Sequence, residues 1–486
     1  MGCRLLLLGL ALCGMAHATP PPRIDLAVTP AWKGWSRPGR ATEVDIRLGS
    51  DLATRVTLDL LAGRQTVHTE LDLEPGRVIR LYVPVGSAER VAVSVAAPTG
   101  PPERREIGIA QSESPLLGVG LASNDPVQLE GFHTVALAGL DLPHNAAGYA
   151  GIDALILDAP TLGALDQRQL AALLTHAAGC GRIVLVNTDP RLRRVLDAAA
   201  GCGRHALMSA ATPADASELL KASLSASLPT ALTQSDVRGL ARPAEPIWNR
   251  IAVMLAVYIA AAALALLFFS SLPLLLLTPA LAALAMLTLL HVMQPPQQLV
   301  VWSEGESGAP LARYQAWQQF AGLLRERVRV PIPAQLAPAA QPCEPAQPMR
   351  FDFDAGRGVA TFAEFETRLF RRVSLCYSGS FPIARAIAVE AHSDGSRQVR
   401  NAGTRAWPHG VLLSQGRVHD LPALGPGELS TLDAPSGQPG SDAALRLAIA
   451  RTRPDRVAAL WALELSGVGD VPAGSRGWLL VSVAPP

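Results

Sequence analysis

YAGIDALILDAPTLGALDQRQLAALLTHAAGCGRIVLV, residues 149–186, carries the alternation that decides the fold. IDALILD (Ile152 to Asp158) and RIVLV (Arg182 to Val186) are short, nearly continuous apolar runs, which suit strands buried on both faces of a parallel sheet. Between them Asp166 reads as an N-cap with Gln169 three residues on; Leu170, Leu173 and Leu174 share one helical face, and Gly179 closes the helix. Leu116 to Leu121 supplies an earlier strand. Thr212-Pro213-Ala214-Asp215 opens a further helix with a cap, a proline at its first position and an acid at its third. Strands alternating with helices predict a doubly wound α/β domain over residues 105–245.

Towards the N-terminus the period changes to two, in Val44, Ile46, Leu48, then Val56, Leu58, Leu60, then Ile79, Leu81, Val83, then Val91, Val93, Val95. Turns punctuate the runs at Pro38-Gly39, Gly63-Arg64 and Pro75-Gly76, so residues 19–104 are expected to form an antiparallel β-sandwich. Trp32 and Trp35 read as core or inter-sheet residues, with a binding surface as the other reading. Period two returns over residues 349–486, in Val373 and Leu375, Ile387 and Val389, Val411 and Leu413, and Trp478 to Val483, predicting a second sandwich. Helices are expected there near Asp442 to Ala450 and Pro454 to Leu463.

Residues 1–18 have Arg4, an apolar run from Leu5 to about Leu12, and Ala16-His17-Ala18, the pattern of a secretory signal cleaved between Ala18 and Thr19. Charged residues are only 17% and net charge is +1, which gives no electrostatic footprint for nucleic acid. Ile251 to Phe269 and Leu274 to Met293 are uncharged apolar runs, each long enough to cross a bilayer core. They predict a transmembrane hairpin within residues 246–294 that leaves the flanking domains in one compartment, although its turn carries no Lys or Arg to orient it. An amphipathic helix, Leu311 to Val328, is expected to lie on the membrane or on the last domain, followed by a proline-rich linker, so that 295–348 forms one connecting region. Four cysteines follow the signal. Cys180 with Cys202 and Cys343 with Cys376 is the economical disulfide pairing in an oxidising compartment, buried free thiols being the alternative.

The stretch 149–186, together with GWSRPGR around Trp35 and the C-terminal run 397–433, resembles bacterial membrane proteins with a degenerate class I glutamine-amidotransferase-like domain, of the kind associated with MoxR and Bat-type gene clusters. The resemblance covers most of the chain as a domain order, with loose motifs. It implies a multidomain α/β plus all-β protein: sandwich, flavodoxin-like α/β domain, transmembrane hairpin, second sandwich. Localisation at the bacterial inner membrane follows, with periplasmic soluble domains, and partners among the membrane and other envelope proteins, a MoxR or Bat-type system included.

Catalysis is not part of that expectation. A glutaminase needs a cysteine on the sharp turn directly after a strand, whereas Val186 is followed by Asn187-Thr188-Asp189-Pro190. Cys180 precedes the strand, in a helix-closing Gly-Cys-Gly turn, and His176 is explained by an exposed position or the helix C-terminus. No G-x-S-x-G, H-E-x-x-H or phosphate-binding glycine motif occurs. Asp394-Gly395 reads as a hairpin turn and Asp352 with Asp354 as a strand end without calcium-loop spacing. No catalytic residue, cofactor or metal is expected. The sequence favours a non-catalytic membrane-anchored periplasmic scaffold or sensor in envelope assembly or stress, with an amidotransferase-like or hydrolase enzyme of unrecognised site as the alternative.

Overall fold

In the computed structural model, five parallel strands form one sheet in the order His133–Ala136, Leu116–Gly120, Ala154–Asp158, Arg182–Val186, Leu207–Ala210. Taken in chain order this is 2-1-3-4-5, a doubly wound arrangement whose switch point lies between the strands Leu116–Gly120 and Ala154–Asp158. The structure describes residues 21–122, 127, 129–138, 141–178, 181–199, 207–225, 256, 259–260, 298–306, 311–321, 325–332, 340–343, 347–367, 372–382, 387–391, 397–403, 406, 410–414, 417–431 and 476–482. Every residue of LLGVG and ALILD is buried, because helices cover both faces. At Gly118 a Cβ would come within 2.7–2.8 Å of Ile152, Leu137 and Leu155, so this sheet needs glycine there. The helix Gln167–Ala178 opens on a reciprocal capping box: Gln169 N–H donates to Asp166 Oδ1 at 2.8 Å, and Asp166 N–H donates to Gln169 Oε1 at 3.2 Å. Thr212 and Asp215 cap the helix Pro213–Ser225 in the same way.

The strands Ile24–Pro30, Thr42–Ser50 and Ile79–Val85 make a three-stranded antiparallel sheet. Its inward residues Val44, Ile46, Leu48, Leu81 and Val83 share a core with Val56, Leu58, Leu60, Val91, Val93 and Val95 of a second sheet. That second sheet is not confined to the first hundred residues. Its order is Glu326–Pro331, Val359–Thr367, Met349–Asp354, Gln65–Leu73, Thr54–Ala62, Arg90–Ala96, Glu103–Gly108. Met349 to Asp352 pair in parallel with Gln65 to His68, so the late part of the chain extends the sheet of the early part. One hydrophobic cluster accordingly runs from Leu26 through Tyr314, Phe351 and Tyr377 to Leu424.

A further seven-stranded sheet runs Gln341–Pro342, Arg372–Pro382, Leu311–Ala321, Gln298–Glu306, Arg476–Ser482, Gly410–Ser414, Arg417–Leu421, and a small one joins Ile387–Ala391, Arg397–Asn401 and Leu429–Thr431. Cys343 and Cys376 are disulfide-bonded, with Cα atoms 5.0 Å apart. Cys180 and Cys202 lie outside the described residues, as do Ala18, Thr19 and the helices expected after Asp442.

The expected architecture with a transmembrane hairpin is overturned. The protein is mostly strand, and among the described residues no helix is long and apolar enough to cross a membrane. The longest described helix, Pro213–Ser225, has 13 residues and carries Asp215, Glu218 and Lys221, whereas a span needs about 20 apolar residues. Of the two apolar runs only residues 256, 259 and 260 are described. Hydropathy marks where a span is affordable in transfer energy, but it does not establish a continuous helix.

The amphipathic helix expected over Leu311 to Val328 is likewise corrected: Leu311–Ala321 and Glu326–Pro331 are strands. Leu311–Ala321 is hydrogen-bonded on both sides, to Gln298–Glu306 and Arg372–Pro382. Tyr314, Ala316, Gln318 and Phe320 are buried, and so is Trp317 between them. A strand buried on both faces satisfies a helical spacing by accident, and its aromatic content favours the pleated surface. The proline-rich stretch after it is tied in at both ends, by Ile332 N–H to Thr361 O at 2.8 Å and Cys343 N–H to Ser374 O at 3.1 Å.

Candidate functional site

In a doubly wound sheet, chemistry belongs at the carboxyl ends of the strands beside the switch point. The carboxylate found there, Asp158, is already committed to the backbone. Its Oδ1 accepts from Thr161 N–H at 2.9 Å and its Oδ2 from Ala122 N–H at 2.5 Å, capping the short helix Ala159–Gly163. One strand over, Val186 runs into Asn187 at φ 47°, a left-handed residue on the turn into the helix Pro190–Ala199. Asparagine tolerates that conformation better than most residues. This is the sharp strand-to-helix turn on which a thiol nucleophile would ride, yet Asn187 presents a carboxamide, and its N–H donates to Ala210 O at 3.1 Å.

The other residues singled out by sequence are scattered. His176 turns inward instead of facing solvent: its ring stacks on Tyr149 with centroids 4.9 Å apart, and burial pushes its pKa down to about 4. Asp354 accepts from Gly356 and Arg357 N–H at 2.9 and 3.1 Å and shapes a turn, while Asp352 meets Arg329 at 2.6 Å. His392 and Asp394 lie outside the described residues. Among the described residues no group of three or more His, Cys, Asp or Glu is arranged to hold a metal.

What the fold does concentrate is a joint between the first sandwich and the α/β unit, built by residues 31–40. Trp32 and Lys33 hold φ of 54° and 50°, a conformation that costs an L-residue roughly 1–2 kcal/mol each and persists only where its surroundings impose it. Trp32 is fully buried within the α/β unit's own hydrophobic cluster. Its indole N–H donates to Gly148 O at 2.9 Å, and its ring meets Tyr149 edge-on with centroids 5.3 Å apart. Trp35 lies on His133 at 3.9 Å. Both tryptophans therefore serve packing, across a boundary between units rather than inside one sandwich. A Cβ at Gly151 would stand 3.1 Å from Ala41 O, so a side chain there would press the turn Ala146–Gly151 back from the sandwich by a few tenths of an ångström.

Polar groups fix the same joint. Asp153 takes Arg40 at 2.7 Å and Arg37 at 3.4 Å, while accepting from Leu116 N–H at 2.8 Å. Arg37 also donates to the carbonyls of Ser112, at 3.0 Å, and Glu113. Glu43, only 2% exposed, accepts from His144 and Asn145 N–H at 2.8 and 2.7 Å. The His144 imidazole lies between the Glu43 carboxylate at 3.5 Å and the Asp166 carboxylate at 3.2 Å, and is stacked on Tyr82 with centroids 3.7 Å apart. Glu43, His144, Asp153 and the roles of Arg37 and Arg40 escaped sequence reasoning. The GWSRPGR segment is the available signal, but the partners of Arg37 lie 75 and 76 residues away and that of Arg40 lies 113 away. No family model and no curated relative matches the chain.

Proposed function

We propose that this protein is a non-catalytic scaffold or sensor of the bacterial periplasm, acting in envelope assembly or stress through protein partners, a MoxR or Bat-type system among them. The observation that carries this reading is at the sheet's carboxyl edge, where the elbow position is Asn187 and the nearby Asp158 has both carboxylate oxygens engaged by backbone N–H groups. A nucleophile needs a thiol or hydroxyl with an adjacent base, and His176 points into the joint instead. The signal pattern expected over residues 1–18 and the Cys343–Cys376 disulfide support an oxidising compartment. A β body and an α/β unit tied together by buried contacts suit a protein that presents surfaces to other proteins.

The test pairs two measurements on the full chain. Purified protein incubated with glutamine and with simple amide and ester substrates should show no turnover, while in-cell crosslinking should trap discrete protein partners. Turnover that is lost in Asp158→Asn or Asn187→Ala would overturn the reading.

A further inference from the structure

His176 ends a continuous ring stack that links the two units, with Tyr149 at its centre: Trp32 of the sandwich loop meets Tyr149 edge-on, and Tyr149 stacks on His176 of the helix Gln167–Ala178 at an interplanar angle of 24°. The residue is half-buried as a whole, but its Nε2 is closed off from solvent and has no hydrogen-bond partner among the described residues. The Tyr149 hydroxyl is likewise buried without one. The imidazole lies against Gly181, where a Cβ would collide with it, so the ring has nowhere to shift towards the following strand.

Among the described residues, the charged groups around this stack offer no free counterion. Tyr149 is held well above the ordinary phenol range, first by burial and then by Glu43. Glu43 itself is engaged by the His144 and Asn145 N–H groups. Arg182, the residue after Gly181, is a cation whose own pKa is lowered by burial, with Asp153 as its opposing influence. Asp153 is committed to Arg37, Arg40 and Leu116 N–H. A proton on His176 would therefore create a buried charge against a phenol ring, a situation proteins relieve by opening.

We propose that His176 is an acid-sensitive latch: protonation of its imidazole expels the ring from beneath Tyr149, releases Trp32, and separates residues 31–40 from the α/β unit. The direction follows from linkage. Burial holds the closed-state pKa at about 4, below the ordinary histidine range, so the opened state binds the proton first as pH falls. Stability of the joint is level above about pH 6.5, declines as pH drops towards about 4, and levels off again below it. One proton taken up makes opening roughly tenfold more favourable per pH unit inside that window.

Hydrogen exchange of the full chain between pH 4.5 and 7.5, corrected for intrinsic rates, tests this. Protection in residues 31–40, 146–151 and 167–178 should fall about tenfold per pH unit below about pH 6.5, while the strands Thr54–Ala62 and Arg90–Ala96 stay protected. His176→Phe and His176→Gln should both hold the joint protected at pH 5. His144 and His133 are the other imidazoles at the joint among the described residues, and His144→Gln and His133→Gln should leave the pH profile in place. The proposal is overturned if protection at the joint is flat in the wild-type chain, if both His176 variants keep the wild-type profile, or if either of the other two variants abolishes it. Should the His176 variants not fold, the position of the wild-type loss decides: a global loss that includes the sandwich strands counts against the latch.

Discussion

Arg40 and Asp153 stand 2.7 Å apart although 113 residues of chain separate them. The same carboxylate also accepts from Leu116 N–H, so it joins the sandwich loop to the first strand of the parallel sheet. Asp153→Ala removes both at once, leaving a strand N–H unpaired and two guanidinium groups without a counterion. A loss of about 2–4 kcal/mol is expected, most of it from the orphaned buried groups rather than from the half-exposed Arg40 pair. Urea unfolding gives the magnitude, and limited proteolysis within residues 31–40 shows whether the joint is what loosens. Asp153→Asn, which can still accept from Leu116, should cost less than half as much.

Glu43 carries a comparable share from the other side of the joint. It is 2% exposed and serves two backbone N–H groups in the segment entering the turn Ala146–Gly151. Glu43→Ala should destabilise by about 2–4 kcal/mol, as two buried donors lose their acceptor together. His144→Ala should cost less, because Glu43 keeps its backbone partners. The comparison is made by thermal unfolding of the two single variants and the double variant, and a coupling energy near zero would show that the imidazole contributes independently of Glu43.

Lys33 offers a change in the opposite direction. It is held at φ 50° with its amine exposed and only 3.9 Å from Asp141 at best. Lys33→Gly exchanges a strained backbone for a permissive one, and should raise stability by up to about 1 kcal/mol despite the added freedom of the unfolded chain. An increase in the thermal midpoint checks it. Lys33→Val, β-branched at a left-handed position, should lower the midpoint.

The Cys343–Cys376 bond closes a loop with a sequence separation of 33, and Cys376 lies in a strand paired with Trp317. Chain-entropy reasoning assigns such a loop about 3–4 kcal/mol. Reduction should therefore lower the unfolding midpoint measurably, and a Cys343→Ser, Cys376→Ser double variant should reproduce the reduced protein and become insensitive to reductant. Insensitivity of the wild-type midpoint to a reductant that demonstrably opens the bond would count against that share of stability.

Local patterns were legible where one residue type has one dominant explanation. IDALILD and RIVLV read as buried strands because parallel sheets hide both faces, and Asp166 with Gln169 read as a cap because the capping box is made within four residues. Val44, Ile46 and Leu48 read as a half-buried strand for the same reason of locality. Leu311 to Ala321 misled because a central strand buried on both sides has no alternation to display. The apolar runs after Ile251 lie almost wholly outside the described residues, and among the described residues no helix is long and apolar enough to cross a membrane. The joint was out of reach for another reason. Glu43 meets His144 and Arg40 meets Asp153 only once both units have folded, and nothing in either segment alone names its partner. His176 shows the limit most sharply, since the same helix periodicity serves an exposed imidazole and a buried one.

The parallel pairing of Gln65 to His68 with Met349 to Asp352 also imposes an order in time. As the chain emerges from its N-terminus, Gln65–Leu73 can pair at once with Thr54–Ala62, but its other flank waits through most of the translation of the protein. Until then the early sheet carries an open row of backbone donors and acceptors beside apolar side chains, the arrangement most prone to pairing with a stranger. The first β unit to be made is thus among the last to be finished, and any chain halted before residue 349 ends with a sticky edge where the full-length protein has a seam.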